Sequence, residues 1–212
     1  RSLIGTRAPD LILSDPLSVS GLTALQALRA GGARDGERVL IIGASGGVGT
    51  FVVQLAKLFG AEVTGVCSTS KVDAVRAIGA DHVIDYTRED SSDGTQRYDL
   101  ILDLGGNTPL ARLRRALTDA GRLVFVGGEN GGDLTGGFAR NLHGLALNPL
   151  GKQRFIVHST REHFEGLQDL ATLSAARKLA PVIDRRVPLA EVTAAMRDLE
   201  AGRVCGKVVV TV

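Results

Sequence analysis

The chain has 212 residues, 44% of them apolar and 23% charged, which suits one substantial buried core and excludes a disordered chain. With 25 basic and 23 acidic residues the formal charge is +2, a near balance that marks no nucleic-acid or anionic-membrane face and leaves a small-molecule substrate as the expected partner. The two cysteines, Cys67 and Cys205, exclude a disulfide scaffold and a four-cysteine zinc site, and they point to a reducing, cytoplasmic setting. Apolar runs such as Val39 to Ile42 are strand-sized, far short of the roughly 20 residues of a membrane helix. A start at Arg1 without a signal-peptide pattern reads as a fragment or a processed product.

In chain order, Ser20 to Ala30 reads as a helix whose Leu22, Leu25 and Leu28 share a face, ended by Gly31-Gly32. Val39 to Ile42, Glu62 to Val66, Asp99 to Leu104, Leu123 to Val126 and Phe155 to Val157 are short continuous apolar runs, as expected of strands covered on both faces. His82-Val83-Ile84 is a shorter candidate. Between them run three helical stripes: Val48, Val52, Leu55 and Phe59; Val72, Val75 and Ile78; and Leu110, Leu113 and Leu117. Two further helices follow, Phe164 to Leu179 before Pro181 and Leu189 to Ala201 before Gly202, and then a strand from Lys207 to Val212. This alternation predicts an α/β fold, a doubly wound parallel sheet with helices on both faces over about residues 37 to 160, with ligands at the carboxyl ends of its strands.

The strongest chemical signal is Gly43-Ala44-Ser45-Gly46-Gly47-Val48-Gly49, set between a strand and an amphipathic helix. Glycine permits a sharp turn and close approach of backbone to a ligand, while the free N–H groups and positive end of the following helix receive negative charge. Ala44, Ser45, Gly46, Gly47, Val48 and Gly49 are therefore expected to hold a dinucleotide pyrophosphate. Ala44 occupies the first glycine position of G-x-G-x-x-G. Read from Gly43, the same residues give the G-x-x-x-G-x-G of short-chain dehydrogenases, a class that needs a Tyr followed four residues later by Lys. Four residues after Tyr86 and Tyr98 stand Asp90 and Leu102, so that chemistry is missing. At the end of the second strand a carboxylate would favour NAD and a cation NADP. Cys67-Ser68-Thr69-Ser70-Lys71 stands there, and three hydroxyls with an ammonium suit the 2′-phosphate of NADPH. Glu62 has acceptable spacing for the acid but lies at the wrong end of its strand.

Ser18 to Leu28 (SVSGLTALQAL), the glycine turn, Ile78 to Tyr86 (IGADHVIDY) and Gly206-Lys207-Val208-Val209-Val210 occur in an order and spacing that resembles the zinc-free quinone oxidoreductase branch of the medium-chain dehydrogenase/reductases over residues 17 to 212. The resemblance implies a Rossmann domain at 17–160 and a connecting helix at 161–180, with 1–16 and 181–212 as parts of a split, barrel-like catalytic lobe. It implies hydride transfer from NADPH to a quinone, enone or related carbonyl compound, with Ser68, Lys71 and Tyr86 at the 2′-phosphate and Asn107, Gly127 and Gly128 near the nicotinamide. It implies a homodimer through an edge strand near Phe155 to His158. The family's zinc enzymes carry a ligating cysteine ahead of the glycine turn, where this sequence has none, so no metal is expected. A non-catalytic NADPH-binding module is the competing reading, and a methyltransferase would want a carboxylate where Cys67-Ser68 stands.

The remaining features have plainer readings. Arg112, Arg114 and Arg115 lie off their helix's apolar stripe and suit a solvated face. Asp103 suits a loop-shaping role at Gly105-Gly106-Asn107, Cys67 a small buried residue, and His82, His143, His158 and His163 show no metal spacing. The stretch Gly127 to Gly137 is glycine-rich enough for a loop over the nicotinamide end.

Overall fold

The computed structural model describes residues 8–91, 94–127, 144–146, 148, 151–161 and 164–211. In chain order the elements are α1 (Ala8–Gly31), β1 (Arg38–Ile42), α2 (Gly49–Leu58), β2 (Glu62–Cys67), α3 (Val72–Ala77), β3 (His82–Asp85), β4 (Tyr98–Asp103), α4 (Leu110–Ala116), β5 (Leu117–Phe125), β6 (Arg154–Val157), α5 (Phe164–Ala175), β7 (Ile183–Pro188), α6 (Val192–Glu200) and β8 (Lys207–Thr211). Strands β1 to β6 form one sheet in the order β3-β2-β1-β4-β5-β6, every neighbouring pair parallel. The order reverses between β1 and β4, and a crevice opens at their carboxyl ends.

Alternate residues of each strand feed two separate cores. Val39 and Ile41 of β1, with Leu100 and Leu102 of β4, pack with Leu22, Leu25 and Leu28 of α1, Phe51, Val52 and Leu55 of α2 and Leu170 of α5. Leu40, Ile42 and Ile101 face the other way, onto Leu110, Leu113 and Ala116 of α4. Covering both faces requires unbroken apolar strands, which is why these runs show no polar alternation. Each fully buried Leu, Ile or Phe contributes about 1.5–3 kcal/mol. The doubly wound fold expected from the sequence is present.

Four boundaries differ from expectation. The first helix begins at Ala8 rather than Ser20 and runs through Pro16. Leu117, at helical spacing after Leu113, has extended backbone and opens β5, where it pairs with Tyr98. Helix α5 ends at Ala175, short of Leu179, with Arg177 in the left-handed region at φ 56°. The segment Leu189–Glu191 is a 3-10 turn ahead of α6. Strands β7 and β8 pair in parallel as a separate two-stranded sheet. Strand β6 pairs with β5 alone, so among the described residues its outer edge carries no strand.

Candidate functional site

At the end of β1 the chain turns through Gly43, whose φ of 86° is open to glycine and strained for other residues. The N–H groups of Gly43 and Ala44 both donate to the carbonyl of Val66, at 3.2 and 3.1 Å, which locks the turn onto β2. Gly46 N–H donates to Gly43 O at 3.0 Å. A Cβ on Gly49 would lie 2.1 Å from Gly43 O and 2.9 Å from backbone atoms of Ala44, so only glycine lets α2 start this close to β1. Among the described residues the N–H groups of Ser45, Gly47 and Val48 donate to nothing. They sit at the N-terminal end of α2, whose first turn has no acidic residue and whose N-cap has no side-chain hydrogen bond. Unpaired donors at the positive end of a ten-residue helix form an anion site.

Beside this turn lies a recess of about 720 Å³, within the range of small-molecule sites, walled by the carboxyl ends of β1 and β2 and the segments after β3 and β4. It brings together Ser45, Ser68, Lys71, Tyr86 and Asn107, residues widely separated in sequence. Asn107 thus shares one recess with Ser68 and Tyr86. Gly127 does not line it; a Cβ there would come within 2.3 Å of Leu104 O, which fits a tight approach of β5's end to β4's end. Gly128, His143, His163 and most of the glycine-rich stretch after Gly127 fall outside the described residues.

Two of the expected phosphate donors, Thr69 and Ser70, do not line the recess. The Thr69 hydroxyl donates to Asp85 Oδ2 at 2.5 Å and lies 2.9 Å from the Thr87 hydroxyl, and Ser70 is exposed and does not line the recess. A 3-10 turn at Thr69–Lys71 rotates these two hydroxyls away from the wall that Ser68 and Lys71 form. Lys71 is 9% exposed and donates to Gly202 O at 2.7 Å. Arg88 and Arg112 also line the recess, and Arg112 keeps the exposed position expected for it. Sequence reading passed over Arg88, although its position two residues after Tyr86 was the available signal.

Hydrogen bonds from the Thr69 hydroxyl, and from the Thr87 hydroxyl and N–H, hold the Asp85 carboxyl below its ordinary range despite burial. Burial, with the Asp85 charge added, pushes the Cys67 thiol up to about 11, so it stays protonated and acts as a small apolar residue. Asp103 is fully buried and accepts from Gly106 N–H at 3.0 Å, shaping the loop that carries Asn107. Burial lowers the His158 imidazole pKa, favouring its neutral form. The described residues contain no group of three or more His, Cys, Asp or Glu placed to hold a metal ion.

The segment before β8 closes the site from above. Gly202 lines the recess, Gly206 N–H donates to Ser45 O at 2.8 Å, and Lys207 Nζ donates to the Ser20 hydroxyl at 2.5 Å. The Lys207 side chain also packs over Gly47, where an added Cβ would meet its Cε at 3.1 Å.

A six-stranded doubly wound sheet, a glycine turn with unpaired donors and a polar recess at the switch point define a Rossmann dinucleotide-binding protein. The chain belongs to the zinc-binding dehydrogenase family, whose model matches residues 78–210, within the medium-chain dehydrogenase/reductases. It is 35% identical to the mouse protein named NAD(P)H oxidoreductase RTN4IP1, mitochondrial, over 90% of this chain and 53% of that protein. It is 33% identical to the Arabidopsis thaliana NADPH-dependent alkenal/one oxidoreductase, chloroplastic, over 82% of this chain and 40% of that one. The solved quinone oxidoreductase of Coxiella burnetii superposes with a TM-score of 0.78 at 30% identity, over 93% of this chain and 59% of that chain. The chain thus spans about half the length of the curated relatives it matches. The cytoplasmic expectation is overturned: the mouse relative and its cow and human counterparts are named mitochondrial. A low cysteine count argues against a disulfide scaffold but does not choose among compartments.

Proposed function

We propose that the chain is the cofactor-binding part of an NADPH-dependent oxidoreductase that passes hydride to a quinone, enone or related carbonyl compound without zinc. One observation carries the cofactor preference. Strand β2 ends at Cys67 and is followed by Ser68, where a carboxylate would hold the ribose of NAD, and the wall beyond it presents the Ser68 hydroxyl, the Lys71 ammonium and the Tyr86 phenol. The N–H groups of Ser45, Gly47 and Val48 would hold the pyrophosphate, and Lys71 keeps further N–H donors beyond the one given to Gly202. When bound, the cofactor supplies the hydride; this chain supplies anchorage and orientation. The similarity to an Arabidopsis alkenal/one oxidoreductase and a Coxiella quinone oxidoreductase supports the acceptor class.

The test is a fluorescence titration with NADPH and NADH, followed by addition of a simple quinone or an enone. Tighter binding of NADPH than of NADH is expected of this chain, and oxidation on adding the acceptor is expected of the whole protein. A chain that binds neither nucleotide would overturn the reading, and a whole protein that binds NADPH without oxidising it with any acceptor would turn it toward a non-catalytic module.

A further inference from the structure

Three cationic side chains line the recess, and their partners differ. Lys71 is almost fully buried and its ammonium is tied to the carbonyl of Gly202. Arg112 is paired with Asp90, NH1 to Oδ2, at 3.0 Å. Arg88 has one described partner, Asp85, reached only by Nε at 3.5 Å, a length at the limit of a hydrogen bond. That carboxylate already accepts from the Thr69 hydroxyl and from the hydroxyl and N–H of Thr87. The two terminal nitrogens of Arg88 therefore donate to no described group.

Its placement is fixed by the backbone. The N–H groups of Arg88 and Glu89 both donate to Asp85 O, at 3.0 and 2.9 Å, so the chain after β3 makes a tight turn that presents Arg88 beside Tyr86 at the mouth of the recess. The lining of the recess holds Lys71, Arg88 and Arg112 against Glu89 and Asp90, with Asp85, the partner of Arg88, outside the lining.

We propose that Arg88 is the guanidinium that grips the 2′-phosphate of the cofactor's adenosine, with Ser68, Lys71 and Tyr86 beside it, and that it sets the preference for the phosphorylated nucleotide. A planar fork of unpaired N–H groups matches two phosphate oxygens at once, which a tethered ammonium cannot do. This rests on the NADPH reading above and adds to it the residue that selects the phosphate. The side chain is 72% exposed, so its replacement leaves the core untouched.

The experiment compares wild type, Arg88→Gln and Arg88→Lys by titration with NADPH and NADH, and by competition with 2′,5′-ADP and 5′-AMP. Arg88→Gln is expected to weaken NADPH and 2′,5′-ADP by about tenfold or more while NADH and 5′-AMP stay within about twofold, and Arg88→Lys to fall between. If Arg88→Gln weakens both nucleotides alike, or neither, the assignment of Arg88 is overturned while the cofactor reading stands. If wild type binds neither NADPH nor 2′,5′-ADP, the cofactor reading itself fails and Arg88 with it.

Discussion

At the glycine turn, the atoms that shape the site are mostly backbone and lie close in sequence: Gly43 O, Ala44 Cα and the first residues of α2. At the ends of β2 and β3 they come from far along the chain. Thr69 answers to Asp85, Lys71 to Gly202, and Arg88 is presented by a turn hung on Asp85 O. The first region is set by what a Cβ would strike, the second by which charges and hydroxyls already have partners. The steric region is least tolerant at Gly49, whereas the polar one can be altered residue by residue and, on the proposed reading, sets which dinucleotide is held.

This contrast can be broken most forcefully at Gly49. Gly49→Val should destabilise the fold by about 3 kcal/mol or more, because its Cβ meets backbone that has nowhere to move. Gly151→Ala, with nothing within 4 Å, should stay within about 0.5 kcal/mol. Urea unfolding of both measures the difference, and equal midpoints would remove the steric account of the turn.

Lys71→Ala comes next. About a tenfold loss of NADPH affinity with little change for NADH is expected by titration, since a charge-assisted contact to the phosphate goes. Equal weakening of both would reduce Lys71 to its tie with Gly202.

The smallest effect concerns acid. The Asp85 pKa is depressed in the folded chain, so its contribution is present above the ordinary carboxylate range and is lost as pH falls through the folded value. Unfolding midpoints followed from about pH 5 downward should fall more steeply for wild type than for Asp85→Asn. Parallel curves would mean that the hydroxyl cage around Asp85 does not favour its charged form.

The contrast also explains what could be read from the chain alone. Gly43 to Gly49 was legible because the steric demand is local and glycine is its signature. The sheet was legible because strands buried on both faces must be continuously apolar. Leu117 was misassigned since its spacing from Leu113 fits a helix, and the polar Thr118-Asp119-Ala120-Gly121 that follows hides a strand continuing to Phe125. Thr69 and Ser70 were read as phosphate donors by residue type, but a partner sixteen residues away claims the Thr69 hydroxyl. Arg112 is exposed, as its place on the helix implies, but that it also borders the recess emerges only once β3 and the segment after it are placed. Hydrogen-bond competition of this kind has no period and no composition, so the sequence carries no mark of it.

The hydrogen bond from Gly206 to Ser45 and the wall at Gly202 bear on how the protein is made. The glycine turn leaves the ribosome well before the segment that roofs it. Contacts between such distant residues close large loops and form slowly. A nascent chain halted before Gly202 would lack the roof of the recess, so this site is completed only after the segment from Gly202 to Gly206 has emerged.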